Sequence, residues 1–370
     1  MHFTCEKQVI KTAIDKACRA VGNNSNMPII SHLCLTLSGD QLQILGTDLN
    51  ISITCICQVV NIDDGSITCL ASSLKSIIDA FPAGEVEFNL NARGILEISC
   101  NKSKFELPTL PSNEFPVVKN SNVNASFSID GKVLGEMISS VSFAAADSSS
   151  MNTNMQSVLF DVQGDTLVLV STDGKRMAKI ENKLAEDSQA QEKVIVPVKA
   201  ANDFCALVES DKTYRIDICD KKICFNSDNM VFSCGFLDAQ YPDYRRFFVN
   251  DGSAKTICSV DRQLFLESLK RALLMAKDKT TPSLVDFHFD TDYMRLTSNT
   301  MSLGSANENV AVVYDGKPID IAFNGNFIMQ VVDKLRCETI EIELKDSNSS
   351  TMIRPLDSDN YDYICMPLRR

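Results

Sequence analysis

One pattern occurs three times along this chain, and it narrows the possible folds more than any other feature. Residues 33–48 read LCLTLSGDQLQILGTD, residues 158–173 read VLFDVQGDTLVLVSTD, and residues 285–300 read VDFHFDTDYMRLTSNT. Each is an alternating apolar run, a polar turn, a second alternating run and a close of Ser, Thr, Asn or Asp. Alternation puts successive apolar side chains on one face, so each segment predicts a β-hairpin. The turns are Ser38-Gly39-Asp40, Gln163-Gly164-Asp165 and Asp290-Thr291-Asp292. The copies recur about every 125 residues, which marks repeated structural units.

The surroundings repeat as well. Upstream of each hairpin lies an amphipathic stretch with helical period, over residues 6–20, 131–143 and 261–276. Downstream come a strand, a short helix (74–81, 200–208 and 327–335) and another hairpin. Each copy therefore predicts two helices and about eight strands, an α+β unit with its helices packed on antiparallel sheets. Proline-bearing junctions separate the copies, Leu107–Pro116 and Phe236–Arg246. Proline cannot donate to a strand ladder, which suits a crossover at a sheet edge. The boundaries are expected near residues 124 and 255, giving domains 1–124, 125–255 and 256–370. A chain of 370 residues is long enough for two or three cores.

Composition then excludes function classes. The formal net charge is −12, so the chain is not a basic coat that binds nucleic acid by displacing counterions from phosphates. No apolar run approaches the ~18 residues needed to span a bilayer. The start, Met1-His2-Phe3-Thr4-Cys5-Glu6-Lys7, has no basic region followed by an apolar one, so a cytoplasmic location is expected. Fourteen cysteines contain no C-x-x-C, and the three histidines His2, His32 and His288 stand at no metal-ligand spacing from them. Most lie in alternating apolar runs, where cysteine behaves as a small hydrophobe, so buried structural thiols are expected and no metal or cofactor. No nucleophile elbow, P-loop, zinc-protease or dinucleotide motif is present, which argues against an enzyme.

The helices carry a further signal. Wound at 3.6 residues per turn, the first places Val9, Ile10, Ala13, Ile14, Ala17 and Val21 on one stripe, with Gln8, Lys11, Thr12, Asp15 and Arg19 opposite. The corresponding helix of the third copy turns Phe265, Leu269, Ala272, Leu273 and Ala276 inward and Lys270 and Lys277 outward. A plain solvated face is one reading of these neutral-to-basic surfaces. The other is that equivalent helices of a three-fold repeat share one side of an assembly. Leu274 falls opposite the buried stripe, where with Met275 it could serve a subunit contact.

Six segments, in order along the whole chain, carry a family resemblance: Met27-Pro28-Ile29-Ile30, Gly46-Thr47-Asp48-Leu49, Leu110–Pro116, Thr172-Asp173-Gly174-Lys175-Arg176-Met177-Ala178, Tyr241–Arg246 and Tyr363–Arg370. Together they resemble the bacterial DNA sliding clamp family, the beta subunit of DNA polymerase III. The resemblance implies three domains of one topology, joined head to tail with a second chain as a ring of six domains. Helices would line the hole, continuous sheets would form the wall, and the ring would encircle duplex DNA without sequence preference. It also implies a non-catalytic processivity factor, loaded by an ATP-dependent clamp loader, that tethers the polymerase III catalytic subunit and other polymerases and repair proteins. Such a ring holds DNA by topology, so weak contacts suffice and an acidic exterior discourages sticking.

The resemblance also implies residues. The partner-peptide groove would use Met155, Thr172, Gly174, Lys175, Arg176, Met177, Pro242, Arg246, Phe247, Ser350, Ile364, Met366, Pro367, Leu368 and Arg369. Methionines suit a site serving several ligands, and Arg176 and Arg246 are expected as a hydrogen-bonding rim. Lys175 stands where relatives often carry histidine, and Phe247-Phe248 makes that wall bulkier. A bland reading remains, a hairpin exit beside a final edge strand. DNA-facing candidates are Lys11, Arg19, Lys199, Lys270 and Lys277. The sequence Gly22-Asn23-Asn24-Ser25-Asn26 lacks an arginine that some relatives carry there. Phe105 and Leu107 would meet Leu274 and Met275 across the dimer, with Lys102 and Lys104 opposite Glu308 setting the register. A scaffold that shares the fold but encloses no DNA is the rival reading.

Overall fold

In a computed structural model of the chain, the described residues are 1–22, 27–116, 122–185, 190–248, 255–276 and 283–369. The three predicted hairpins form as His32–Ser38 with Gln41–Thr47, Ser157–Gln163 with Thr166–Thr172, and Leu284–Phe289 with Tyr293–Thr300. The alternation does what the period of two requires: Leu33, Leu35, Leu37, Leu42 and Ile44 are buried while their neighbours reach solvent. Six α-helices are described: α1 Lys7–Ala17, α2 Ala71–Ala80, α3 Gly131–Val141, α4 Val198–Cys205, α5 Arg262–Leu274 and α6 Gly325–Lys334. Each repeat contributes two, as expected.

The chain divides into two compact units that do not follow the repeats. One comprises residues 1–132 and 206–236, the other 133–205 and 237–370. The second repeat is thus shared, because its strands complete a sheet on each side. In the first unit, Met230–Gly235 pairs antiparallel with Ile51–Gln58, Ser233 opposite Ser52, inside a 13-stranded sheet. In the second unit, Arg176–Lys183 pairs with Tyr361–Cys365, Met177 opposite Ile364, inside a 12-stranded sheet. A strand borrowed from the next repeat covers an edge that would otherwise expose a row of unpaired amides.

Among the described residues, two inner strands leave one edge open along part of their length. Ser103–Pro111 pairs with Ile95–Cys100 through its first half and with Gly65–Leu70 only at 109–111. Gly304–Tyr314 pairs with Tyr293–Thr300 through its first half and with Thr256–Asp261 only at 312–314.

The helix stripes form with two corrections, one being that Val21 lies beyond the end of α1 and is half-buried. Ile10, Ala13, Ile14 and Ala17 are buried on α1, but Val9 is exposed because it lies at the margin of the stripe. On α5, Phe265, Leu269, Ala272 and Leu273 are buried, with Ala276 just beyond it, and Leu274 stands out at 56 % exposure. The N-cap of α5 is Asp261, whose carboxylate accepts from the Leu264 N–H.

The cysteines behave as small hydrophobes. Ten of the fourteen are buried, Cys55 and Cys57 side by side on one strand. Burial pushes the Cys5 and Cys258 thiols up to about 12, because a thiolate there would lose its hydration.

Candidate functional site

The turn after the second hairpin is built by local hydrogen bonds. The Thr172 hydroxyl donates to the Arg176 carbonyl and accepts from the Gly174 N–H. The Asp173 carboxylate accepts from the Lys175 and Arg176 amides at 2.9 and 3.0 Å. Gly174 sits at φ +84°, the left-handed region that a Cβ disfavours. This tight turn leaves Met155, Thr172, Met177, Pro242, Phe247, Ile364 and Met366 around an apolar cavity of about 120 Å³, with Gly174, Lys175 and Arg176 completing its wall. Every lining residue is one the resemblance implied.

Arg246 and Ser350 line a second, more polar cavity of about 350 Å³, which shares Phe247, Ile364 and Met366 with the first. Its other walls were not anticipated: Lys255, Glu343, Lys345, Asn348 and Ser349 among them. The available signal was strand register. Met352 lies opposite both Ile364 and Glu343, so the hairpin from the third repeat continues the cavity's face. Lys255 pairs with Glu343 at 2.5 Å, and Arg246 with Asp243 at 2.7 Å.

Arg176 corrects the expected rim. It is 8 % exposed, so it offers little to a ligand. Its Nε donates to Asp173, one Nη to Gln330 and the other to the Phe143 carbonyl, and its guanidinium lies over the Phe327 ring at 4.1 Å. A desolvated guanidinium with a hydrogen-bond partner for each of its three nitrogens braces the wall from behind. Pro367, Leu368 and Arg369 line neither cavity. Instead the Leu368 N–H donates to the Ala322 carbonyl at 2.7 Å, which ties Leu368 down beside the strand Ile319–Asn324.

The remaining expected residues divide. Lys11 is engaged by Asp79 and, at 3.0 Å, by Asp15, so it is not a spare cation for phosphate. Its proximity holds the Asp79 carboxyl below the ordinary range. Lys199 and Lys270 are well exposed, paired loosely with Asp203 at 3.2 Å and Asp333 at 3.5 Å. Arg19 is exposed and has no ion pair among the described residues. Lys277, and the sequence at 23–26, lie outside the described residues. Phe105 is exposed, packed edge-on to Phe81 at 5.4 Å, whereas Leu107 is buried in its own unit. Lys104 takes Glu97 at 2.8 Å and Glu308 takes Arg271 at 2.7 Å, so two of the three charges expected to set a cross-chain register already have partners, whereas Lys102 is exposed and has no ion pair among the described residues.

The sequence matches the DNA polymerase III beta subunit over all three repeats: the N-terminal domain at residues 1–119, the central domain at 128–243 and the C-terminal domain at 252–369. The chain belongs to the DNA polymerase III beta subunit family. A similar relative is the beta sliding clamp of Vibrio cholerae, 28% identical over the full length of both chains. Among solved structures, the Pseudomonas aeruginosa sliding clamp bound to griselimycin is 28% identical over both whole chains with a TM-score of 0.94. The Thermotoga maritima beta subunit is 26% identical, covering 100% of this chain and 99% of that one, with a TM-score of 0.90. This beta-subunit chain is a DNA sliding clamp, a non-catalytic component of replication.

Proposed function

We propose that two copies of this chain close head to tail into a ring around duplex DNA, and that the paired cavities beside Met177 and Met366 hold the peptides of the proteins it tethers. Those partners are the polymerase III catalytic subunit, the ATP-dependent clamp loader, and other polymerases and repair proteins with clamp-binding segments. The work is done in the cytoplasm. No helix among the described residues is long and apolar enough to cross a membrane.

The observation that carries the tethering role is the apolar cavity itself. Residues from four separate segments, near 155, 172–177, 242–247 and 364–366, converge on it. Methionine side chains can repack around differing ligands, and the adjoining polar cavity offers charges to flanking residues. The ring reading rests on Leu274 and Met275 at the end of α5, the exposed Phe105, and the two half-open strand edges at 103–108 and 304–311. Joining those edges would satisfy both rows of amides. Arg19, Lys199 and Lys270 are the candidates to face DNA, where weak contacts let the duplex slide.

Two measurements test this. Loaded on nicked circular DNA, the protein should be retained and then released when the circle is cut; loss at equal rates from both forms would sink enclosure. Truncation after Cys365 should abolish binding of a polymerase peptide and leave the dimer intact; surviving affinity would sink the pocket assignment.

A further inference from the structure

The stretch 237–248, which joins the second and third repeats, lies as a strap over one face of the sheet. Leu237, Ala239, Tyr241, Phe248 and the buried Tyr244 pack on Leu159, Val168, Val170, Met177 and Ile195. In the middle of that apolar face stands a carboxylate. Asp161 is 1 % exposed, opposite Val168 on one neighbouring strand and Lys193 on the other. A buried carboxylate is costly unless its charge and lone pairs are matched.

Two of its partners come from the strap. The Tyr244 hydroxyl donates to Asp161 Oδ2 at 2.8 Å, and Arg245 Nη2 donates to the same oxygen at 3.0 Å. Lys193 Nζ lies 3.5 Å away. Gln163 Nε2 donates to the Tyr244 oxygen at 3.3 Å, completing the network. Burial, followed by the hydrogen bond to Asp161, pushes the Tyr244 hydroxyl up to about 12, so it stays a donor at neutral pH.

The flanks of this clasp are the wall of the apolar cavity. Pro242 lies between Tyr241, whose hydroxyl reaches the Val170 carbonyl at 3.3 Å, and Tyr244. Phe247 lies between Arg245 and Phe248, whose ring sits under Lys179 Nζ at 4.9 Å. Asp161 lines neither cavity.

We propose that Asp161 is a positioning residue for partner binding: by clasping Tyr244 and Arg245 it holds Pro242 and Phe247 at the cavity wall, so that the peptide meets a pre-formed surface. A mobile wall would have to be ordered by each ligand, which lowers affinity without removing a contact. The inference rests on the peptide-docking role of the cavity.

The test uses the full-length protein and a fluorescein-labelled clamp-binding peptide from its own polymerase III catalytic subunit. Asp161→Asn and Tyr244→Phe should each weaken the peptide by roughly tenfold and speed hydrogen exchange at 237–248. Phe204→Leu, a core change on α4 outside the strap's apolar cluster, should lower the melting temperature and leave affinity within about twofold. If Phe204→Leu loses as much affinity as Asp161→Asn, general destabilisation explains the loss and the proposal falls. If Asp161→Asn binds as the parent does while Met366→Glu abolishes binding, the cavity is right and the clasp is wrong. If Met366→Glu also binds normally, the docking role itself fails and the clasp with it.

Discussion

Leu49 occupies the first repeat's hairpin exit at φ +79°, where Gly174 occupies the second's at φ +84°. The two turns share their hydrogen bonds. Thr47 reaches the Ile51 carbonyl as Thr172 reaches that of Arg176, and Asp48 accepts from Asn50 and Ile51 as Asp173 accepts from Lys175 and Arg176. One backbone design therefore serves both repeats, with a strained leucine in one and a glycine at the cavity wall in the other.

This equivalence predicts opposite effects of exchange. Gly174→Ala should cost about 1 kcal/mol, from left-handed strain rather than a clash, because the added Cβ would meet Met155 only at 3.6 Å. Leu49→Gly should be neutral or stabilising by up to about 1 kcal/mol, strain relief offsetting the added freedom of the unfolded chain. Chemical denaturation of both variants checks the pair; a destabilised Leu49→Gly would count against strain at that turn.

Removing Arg176 should be severe. Arg176→Ala removes the guanidinium's hydrogen bonds to the Phe143 carbonyl, Asp173 Oδ2 and Gln330, although Asp173 Oδ1 keeps its backbone donors, and opens a void between Phe143 and Phe327. A loss of about 3–5 kcal/mol is expected, with peptide affinity falling alongside. Calorimetry decides it: a melting temperature within a degree of the parent would mean the guanidinium is no brace.

Leu274→Glu should convert the dimer to monomer while each chain stays folded. The side chain is exposed within its own chain, so the charge harms nothing until an apolar partner must cover it. Light scattering at micromolar concentration, with circular dichroism as the folding control, reads this directly. An unchanged dimer would move the interface elsewhere.

The buried thiols predict a loss of stability in alkali. The Cys5 and Cys258 thiols lie near 12 and that of Cys57 near 11, against 9.0 when unburied. Above pH 9 the unfolded chain sheds these protons while the folded one keeps them, so stability should decline as pH rises from about 9 towards 12. The same burial predicts slow alkylation of these thiols at pH 8 in the folded protein and rapid alkylation in urea. Melting curves across pH and mass spectrometry of the alkylated cysteines test both halves.

Periods of 2 and 3.6 are local, so the hairpins around Leu35, Val170 and Phe287 and the buried stripe of α5 could be read from the chain alone. So could the exposure of Leu274, because it breaks its own helix's stripe. The ten residues of the apolar cavity were legible for another reason: they sit in short motifs that the family resemblance carries. What required the folded chain was every pairing between distant segments. Thr54 meets Val231 and Met177 meets Ile364 across sheets shared between repeats, and nothing near those residues announces the partner. Side-chain roles depend on such meetings. Arg176 became a buried brace, Lys11 was taken by Asp79, and Asp161 found Tyr244 and Arg245 some 83 and 84 residues away. Sequence period sets which face a side chain takes; the neighbours that meet that face, and hence its charge balance, are decided only when the strands assemble.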